Sequence, residues 1–263
     1  MKTRFFLFTI VCLLCFLQAV AAFARQQGET PVVYMSSVEW PPYSGAELPG
    51  KGACVVIARK AFAAMGYELR VVFLPWKRAV MTTRVDPRFS GYFPEYHDER
   101  VGDEFYFSDR MGNGPLGFIE LRDRPIRWET LQDLRKYRIG VVNGYVNEKE
   151  FDGMVRAGEF HVDPVVDDRI NLRKLLAGRI DTAVMDPLVL RYLLGSGEDF
   201  RGQVGKVQLN DKLLDIKGFH LCFRKTEYGK HMCDLFNEGL KRIDWPAEQD
   251  QYMEWLFSSV MAP

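Results

Sequence analysis

The sequence has no surplus of charge. Its 263 residues carry 35 Lys and Arg against 35 Asp and Glu, and no basic run interrupts that balance. A chain that neutralises phosphates needs a cationic surface, so nucleic acid is excluded as the main partner. Long apolar runs are missing beyond the first 24 residues, which excludes a polytopic membrane protein. Low-complexity tracts and repeats at solenoid period are missing too, and 47% hydrophobic residues are too many for a disordered chain. Enzyme signatures are equally scarce. There is no G-x-G-x-x-G joining a strand to a helix, no complete G-x-x-x-x-G-K-S/T loop, no G-x-S-x-G and no H-E-x-x-H. Covalent and metal-dependent hydrolysis are thereby disfavoured, and no cofactor is expected. What remains is a globular chain, long enough for one large domain or two of about 100 to 130 residues.

The N-terminus breaks the charge balance. Lys2 and Arg4 precede an apolar stretch at 5–20, and Ala22-Phe23-Ala24 presents small residues at the two positions a signal peptidase reads. Residues 1–24 are expected to be a signal peptide, cleaved after Ala24 or Ala21. A membrane anchor is the alternative, because the apolar run approaches spanning length. Removing the leader takes away Lys2 and Arg4 and leaves a slight excess of anions on an exported chain. Three cysteines then remain, Cys54, Cys222 and Cys233. An odd count in an oxidising compartment means one bridge and a free thiol, or no bridge. Cys54 sits in an apolar helical run and reads as a buried thiol, which leaves Cys222 and Cys233 as the possible disulfide. His220, Cys222, His231 and Cys233 do not read as a metal site, because the second pair falls in a helical pattern.

From residue 31 the chain alternates β-rich runs with helical patterns, the signal for βαβ units and a largely parallel sheet. Strands are expected at 32–35, 69–74 and 89–93, with helices at 54–65 and 76–84. Extended chain at 105–123 offers a crossing between domains. A second series follows, with strands at 138–142, 161–166 and 182–185 and helices at 130–136, 148–157, 169–177 and 187–194. A second crossing falls at 218–223, and the chain ends in helices at 228–243 and 248–260. The expected fold is α/β, two lobes joined by two crossing segments. Residues 25–115 and 220–263 form one lobe, and 116–219 form the other, inserted lobe. Ligands of such sheets bind beyond the carboxyl ends of the strands, so the site is sought in the cleft between lobes.

Aromatic and charged residues gather at those strand ends. Glu39-Trp40-Pro41-Pro42-Tyr43 follows the first strand, Pro75-Trp76 the second, and Glu95 to Arg100 the third; Asn143-Gly144-Tyr145 and Asp186 follow two strands of the second series. With Phe107-Ser108-Asp109, residues 137–144 and residues 178–186, these pieces make the chain similar to the family 3 extracellular solute-binding proteins. Those proteins are the periplasmic components of polar amino acid ABC transporters, and the resemblance runs from about residue 32 to 256. It implies a type II-like periplasmic binding protein: a monomer that closes by hinge bending on a small polar solute and docks transiently on a membrane-embedded ABC permease.

The resemblance also implies roles. Trp40 matches an aromatic that stacks on the ligand and Trp76 a wall of the pocket. Arg100 matches the arginine that holds a ligand carboxylate, a task suited to a planar five-donor fork; a surface ion pair with an acidic neighbour is the other reading. Asp186 matches the acceptor of a ligand ammonium, and it also reads as the N-cap of a helix that begins at Pro187. The amides after Gly144 open a helix whose positive end suits an anion. Tyr43 reads as a packing residue. Four positions depart from the family: Glu95 and His97 replace small polar and hydroxyl residues, and Tyr145-Val146 replaces a hydroxyl pair. These changes remove donors to a carboxylate, and Glu95 favours a ligand with an additional cationic group. Two other readings stay open, a dehydratase-like periplasmic enzyme on the same fold and a ligand sensor that docks on a membrane receptor.

Overall fold

The computed structural model describes residues 30–196 and 198–260, so the expected signal peptide lies outside the described residues. The first half builds three parallel strands, β1 (Val32–Ser37), β2 (Glu68–Phe73) and β3 (Phe89–Tyr96), linked by helices α1 (Ala53–Ala63) and α2 (Trp76–Val85). All eight residues of β3 are buried. That follows from its place inside the sheet, with β1 on one side and the returning strand Val207–Arg224 on the other. A short helix α3 (Glu99–Glu104), β4 (Phe105–Phe107) and β5 (Gly112–Leu121) complete this part.

The second half repeats the alternation. A 3₁₀ turn at Leu131–Lys136 leads into β6 (Arg138–Val142), α4 (Lys149–Arg156), β7 (His161–Val165), α5 (Asp168–Leu176), β8 (Thr182–Met185) and α6 (Pro187–Ser196). The strand β9 (Val207–Arg224) then returns to the first half, followed by α7 (Glu227–Leu240), α8 (Trp245–Trp255) and a π-helical turn at Leu256–Val260. Strand order is β2-β1-β3-β9-β5-β8-β6-β7, with β4 on β9. The parallel groups β2-β1-β3 and β8-β6-β7 are joined through the antiparallel pair β5 and β9. This is a two-lobed α/β fold of the type II-like kind.

Two polar side chains fasten the crossing strands. Glu120 is buried on β5, where its carboxylate accepts hydrogen bonds from the Ile126 amide at 2.9 Å, Gln208 Nε2 at 2.7 Å and Asn210 Nδ2 at 2.9 Å. Gln249 on α8 pairs with the backbone of Asn113 in both directions, at 3.0 and 2.8 Å, as a neighbouring strand would. The C-terminal helices cover α1. A Cβ at Gly239 would lie 2.1 Å from the Ala61 carbonyl oxygen, so only glycine lets α7 approach α1 this closely.

Differences from the expected elements have local causes. The extended stretch at 105–123 is two strands rather than one. Asp98 accepts the Arg100 amide at 2.9 Å and caps α3, a helix too short for hydrophobic periodicity to announce. β9 starts at Val207 instead of near 218 because its first half pairs with β5 alone and is largely exposed or half-buried. The possible Cys222–Cys233 bridge is not formed, since all three described cysteines are free thiols. The two side chains serve different neighbours: Cys233 Sγ lies 3.3 Å from the Phe107 carbonyl, whereas Cys222 meets the Tyr92 hydroxyl.

Candidate functional site

The carboxyl ends of both parallel groups converge. After β1 the chain turns tightly, with the Trp40 amide donating to Ser44 O at 2.8 Å, and this turn stacks Trp40 on Tyr43 at a centroid separation of 4.6 Å. Phe219 of β9 packs edge-on to both rings, and Tyr96 at the end of β3 stacks on Phe219 at 5.8 Å. Trp76 opens α2, and its indole N–H donates to Gly144 O at 2.9 Å in the other lobe. Its ring meets Tyr145 edge-on at 5.6 Å. The ends of the two parallel strand groups are therefore in direct aromatic contact.

Three buried carboxylates sit behind these rings. Glu95, 5% exposed, accepts the Tyr96 amide at 2.9 Å and the Tyr92 hydroxyl at 3.1 Å. Burial pushes its carboxyl up to about 8, and the Asp98 charge adds to this against those two hydrogen bonds. Asp168 at the start of α5 is buried beside the Trp40 side chain. Burial, with the charges of Asp167 and Asp186, raises it to about 7. Asp186, 2% exposed, closes β8 and caps α6: Oδ1 accepts the Leu188 amide at 2.6 Å and the Val189 amide at 3.3 Å. Its Oδ2 accepts the Tyr43 hydroxyl at 2.9 Å, and burial raises it to about 7. Gly114 on β5 makes room for that pair, because a Cβ there would lie 2.4 Å from Asp186 Oδ2 and 2.7 Å from the Tyr43 hydroxyl oxygen.

Two neighbouring cavities result, here called inner and outer. The inner one, about 30 Å³, is lined by Trp40, Trp76, Glu95, Tyr96 and Tyr145 among others, and is large enough for a group the size of one water. The outer one, about 700 Å³, shares Val38, Trp40 and Trp76 with it and opens between Glu39 and Glu47 on one side and Asp167 and Asp168 on the other.

Of the residues expected from the sequence, Trp40, Trp76, Glu95 and Tyr145 line the inner cavity together. Gly144 stands behind them through its carbonyl. Asp186 lines neither cavity, being engaged by Tyr43 and the amides of α6. Arg100 lies outside as well. Its side chain is 53% exposed and doubly bonded to Asp98, Nε to Oδ1 and an Nη to Oδ2, each at 3.0 Å. The residues that sequence reading passed over are Tyr43 as a partner of Asp186, Tyr96, Asp168 and Gly114. Asp168 did carry a signal, an acidic pair directly after a strand, at the same kind of position as Asp186.

No protein-family model matches the chain, and no curated protein does. Solved structures with this fold are numerous. A histidine kinase sensor domain similar to periplasmic binding proteins matches with a TM-score of 0.71 at 18% identity, over 86% of this chain and 97% of that one. A mutant of ArgBP from T. maritima matches at 0.68 and 16%, over 87% and 96%. The substrate binding protein of an amino acid ABC transporter matches at 0.67 and 18%, over 87% and 100%. The chain has the fold of the amino acid-binding periplasmic proteins over nearly its whole described length.

Proposed function

We propose that the chain is an exported binding protein that holds a small, positively charged polar solute in the cleft between its lobes. The carrying observation is the inner cavity, where Trp40, Trp76 and Glu95 from one lobe face Tyr145 from the other. Aromatic faces and a buried carboxylate attract a cation, and an aromatic face contributes about 0.5 to 2 kcal/mol to a desolvated one. Among the described residues no helix is long and apolar enough to cross a membrane. On this reading, lobe boundaries fall near 115 and 219, the lobes open by bending along β5 and β9, and the closed form docks on an ABC permease. The solute is amino acid-like in size, and no arginine lines the inner cavity to receive a carboxylate.

The test is calorimetric titration of the purified mature chain with a library of small polar solutes, followed by mass spectrometry of the solute recovered. The expected result is one cationic solute bound at unit stoichiometry, returned unchanged, with Trp76→Ala weakening it tenfold or more. At a hundredfold excess over Kd the gain of about 2.7 kcal/mol also raises the melting temperature. Conversion of the solute would replace the binding reading with an enzymatic one.

A further inference from the structure

The cleft offers more attachment points for cations than for anions, and they extend well beyond the inner cavity. Among the described residues, the one cationic side chain lining either cavity is Arg169, and its guanidinium donates to Asp199 at 2.8 Å. Lys217 lies over the Tyr96 ring, 5.5 Å from its centroid, and pairs with Asp215 at 3.1 Å. A bound carboxylate would lose its water and find only these two cations, each already paired with an aspartate, which costs it part of the compensation it needs.

A second, independent feature marks the place of a ligand group. Tyr96 is 7% exposed and lines the inner cavity beside Glu95, yet its buried hydroxyl has no hydrogen-bond partner among the described residues. Buried hydroxyls without partners are rare, and this one offers a lone pair to a donor. The inner cavity fits one small polar head, and the outer cavity, which shares Val38, Trp40 and Trp76 with it, is also lined by Glu39, Glu47, Asp167 and Asp168. Glu39 and Asp167 already accept backbone amides, at Ala46 and Ile170, so each retains acceptor capacity without being neutralised.

We propose that the cleft takes a linear di- or polyamine lacking any carboxylate, with one ammonium group between Glu95 and Tyr96 and a second among the outer carboxylates. This rests on the reading of the cleft as a solute site. The test is calorimetric titration of the mature chain with spermidine, putrescine, butylamine, L-lysine and L-arginine. Spermidine or putrescine is expected to bind at unit stoichiometry, at least tenfold tighter than L-lysine or butylamine. Tyr96→Phe is expected to weaken every amine. Glu47→Gln combined with Asp167→Asn, which keeps a capping side chain on α5, is expected to weaken the diamine about tenfold and leave butylamine within twofold. Tighter binding of L-lysine or L-arginine would overturn the polyamine assignment while leaving a solute-binding function in place. Equal loss of butylamine in the double variant would remove the second ammonium subsite. Silence across the five compounds would also overturn the assignment, and the library titration above then decides separately whether the cleft binds a solute at all.

Discussion

At the scale of single residues, the account turns on where each charge finds its partner. Asp186 was legible as a cap, since an acidic residue between a buried strand and a proline is placed to hold the first amides of the helix that follows, but it lines neither cavity. Its link to Tyr43 was not legible, because 143 residues separate them and nothing local announces the contact. Gly114 shows the same limit: its role is the space it leaves for that pair. Arg100 went to Asp98 because a residue that caps α3 through the Arg100 amide also lies within reach of the Arg100 side chain. Removing the hydroxyl in Tyr43→Phe leaves Asp186 Oδ2 buried without its donor. Urea denaturation is expected to show a loss of about 1 to 3 kcal/mol; an unchanged midpoint would mean the contact contributes nothing.

At the scale of elements, the βα alternation was readable because strands buried on both faces are short apolar runs and the helices between them carry caps and terminal glycines. β9 was only half readable, since its first half pairs with a single neighbour and keeps no apolar pattern. The crossing strands instead depend on polar fastenings that sequence patterns do not reveal. Glu120 is the clearest, a buried carboxylate with three neutral donors gathered from the turn after β5 and from β9. Glu120→Ala strands those donors and is expected to destabilise the fold by about 2 to 4 kcal/mol in chemical denaturation. A loss no larger than that of an exposed substitution would contradict the fastening role.

At the scale of the whole molecule, burying Glu95, Asp168 and Asp186 together has a pH signature. All three carboxyls are raised by burial, to about 8, 7 and 7, so the folded chain holds protons more tightly than the unfolded chain. The groups facing them are chiefly Tyr43, Trp40, Tyr92, Asp98 and Asp167, with Lys217 the one cation. The stabilisation is fully present below about pH 4 and is lost as pH rises through 7 to 8. Without added solute, the melting temperature is therefore expected to fall by about 5 °C or more between pH 5 and pH 8.5; a rise over that interval would refute the burial argument. A bound cation acts in the opposite sense, favouring the ionised forms, so affinity is expected to grow over the same interval. The neutral balance of the sequence conceals this arrangement, because the site's charge lies in a few carboxylates brought together by the fold. The most direct test of the central claim is the mass of the small molecule released on denaturing the protein purified from cells that make it. The account predicts a stoichiometric compound with net positive charge, absent from Trp76→Ala. A stoichiometric compound bearing a net negative charge would contradict it.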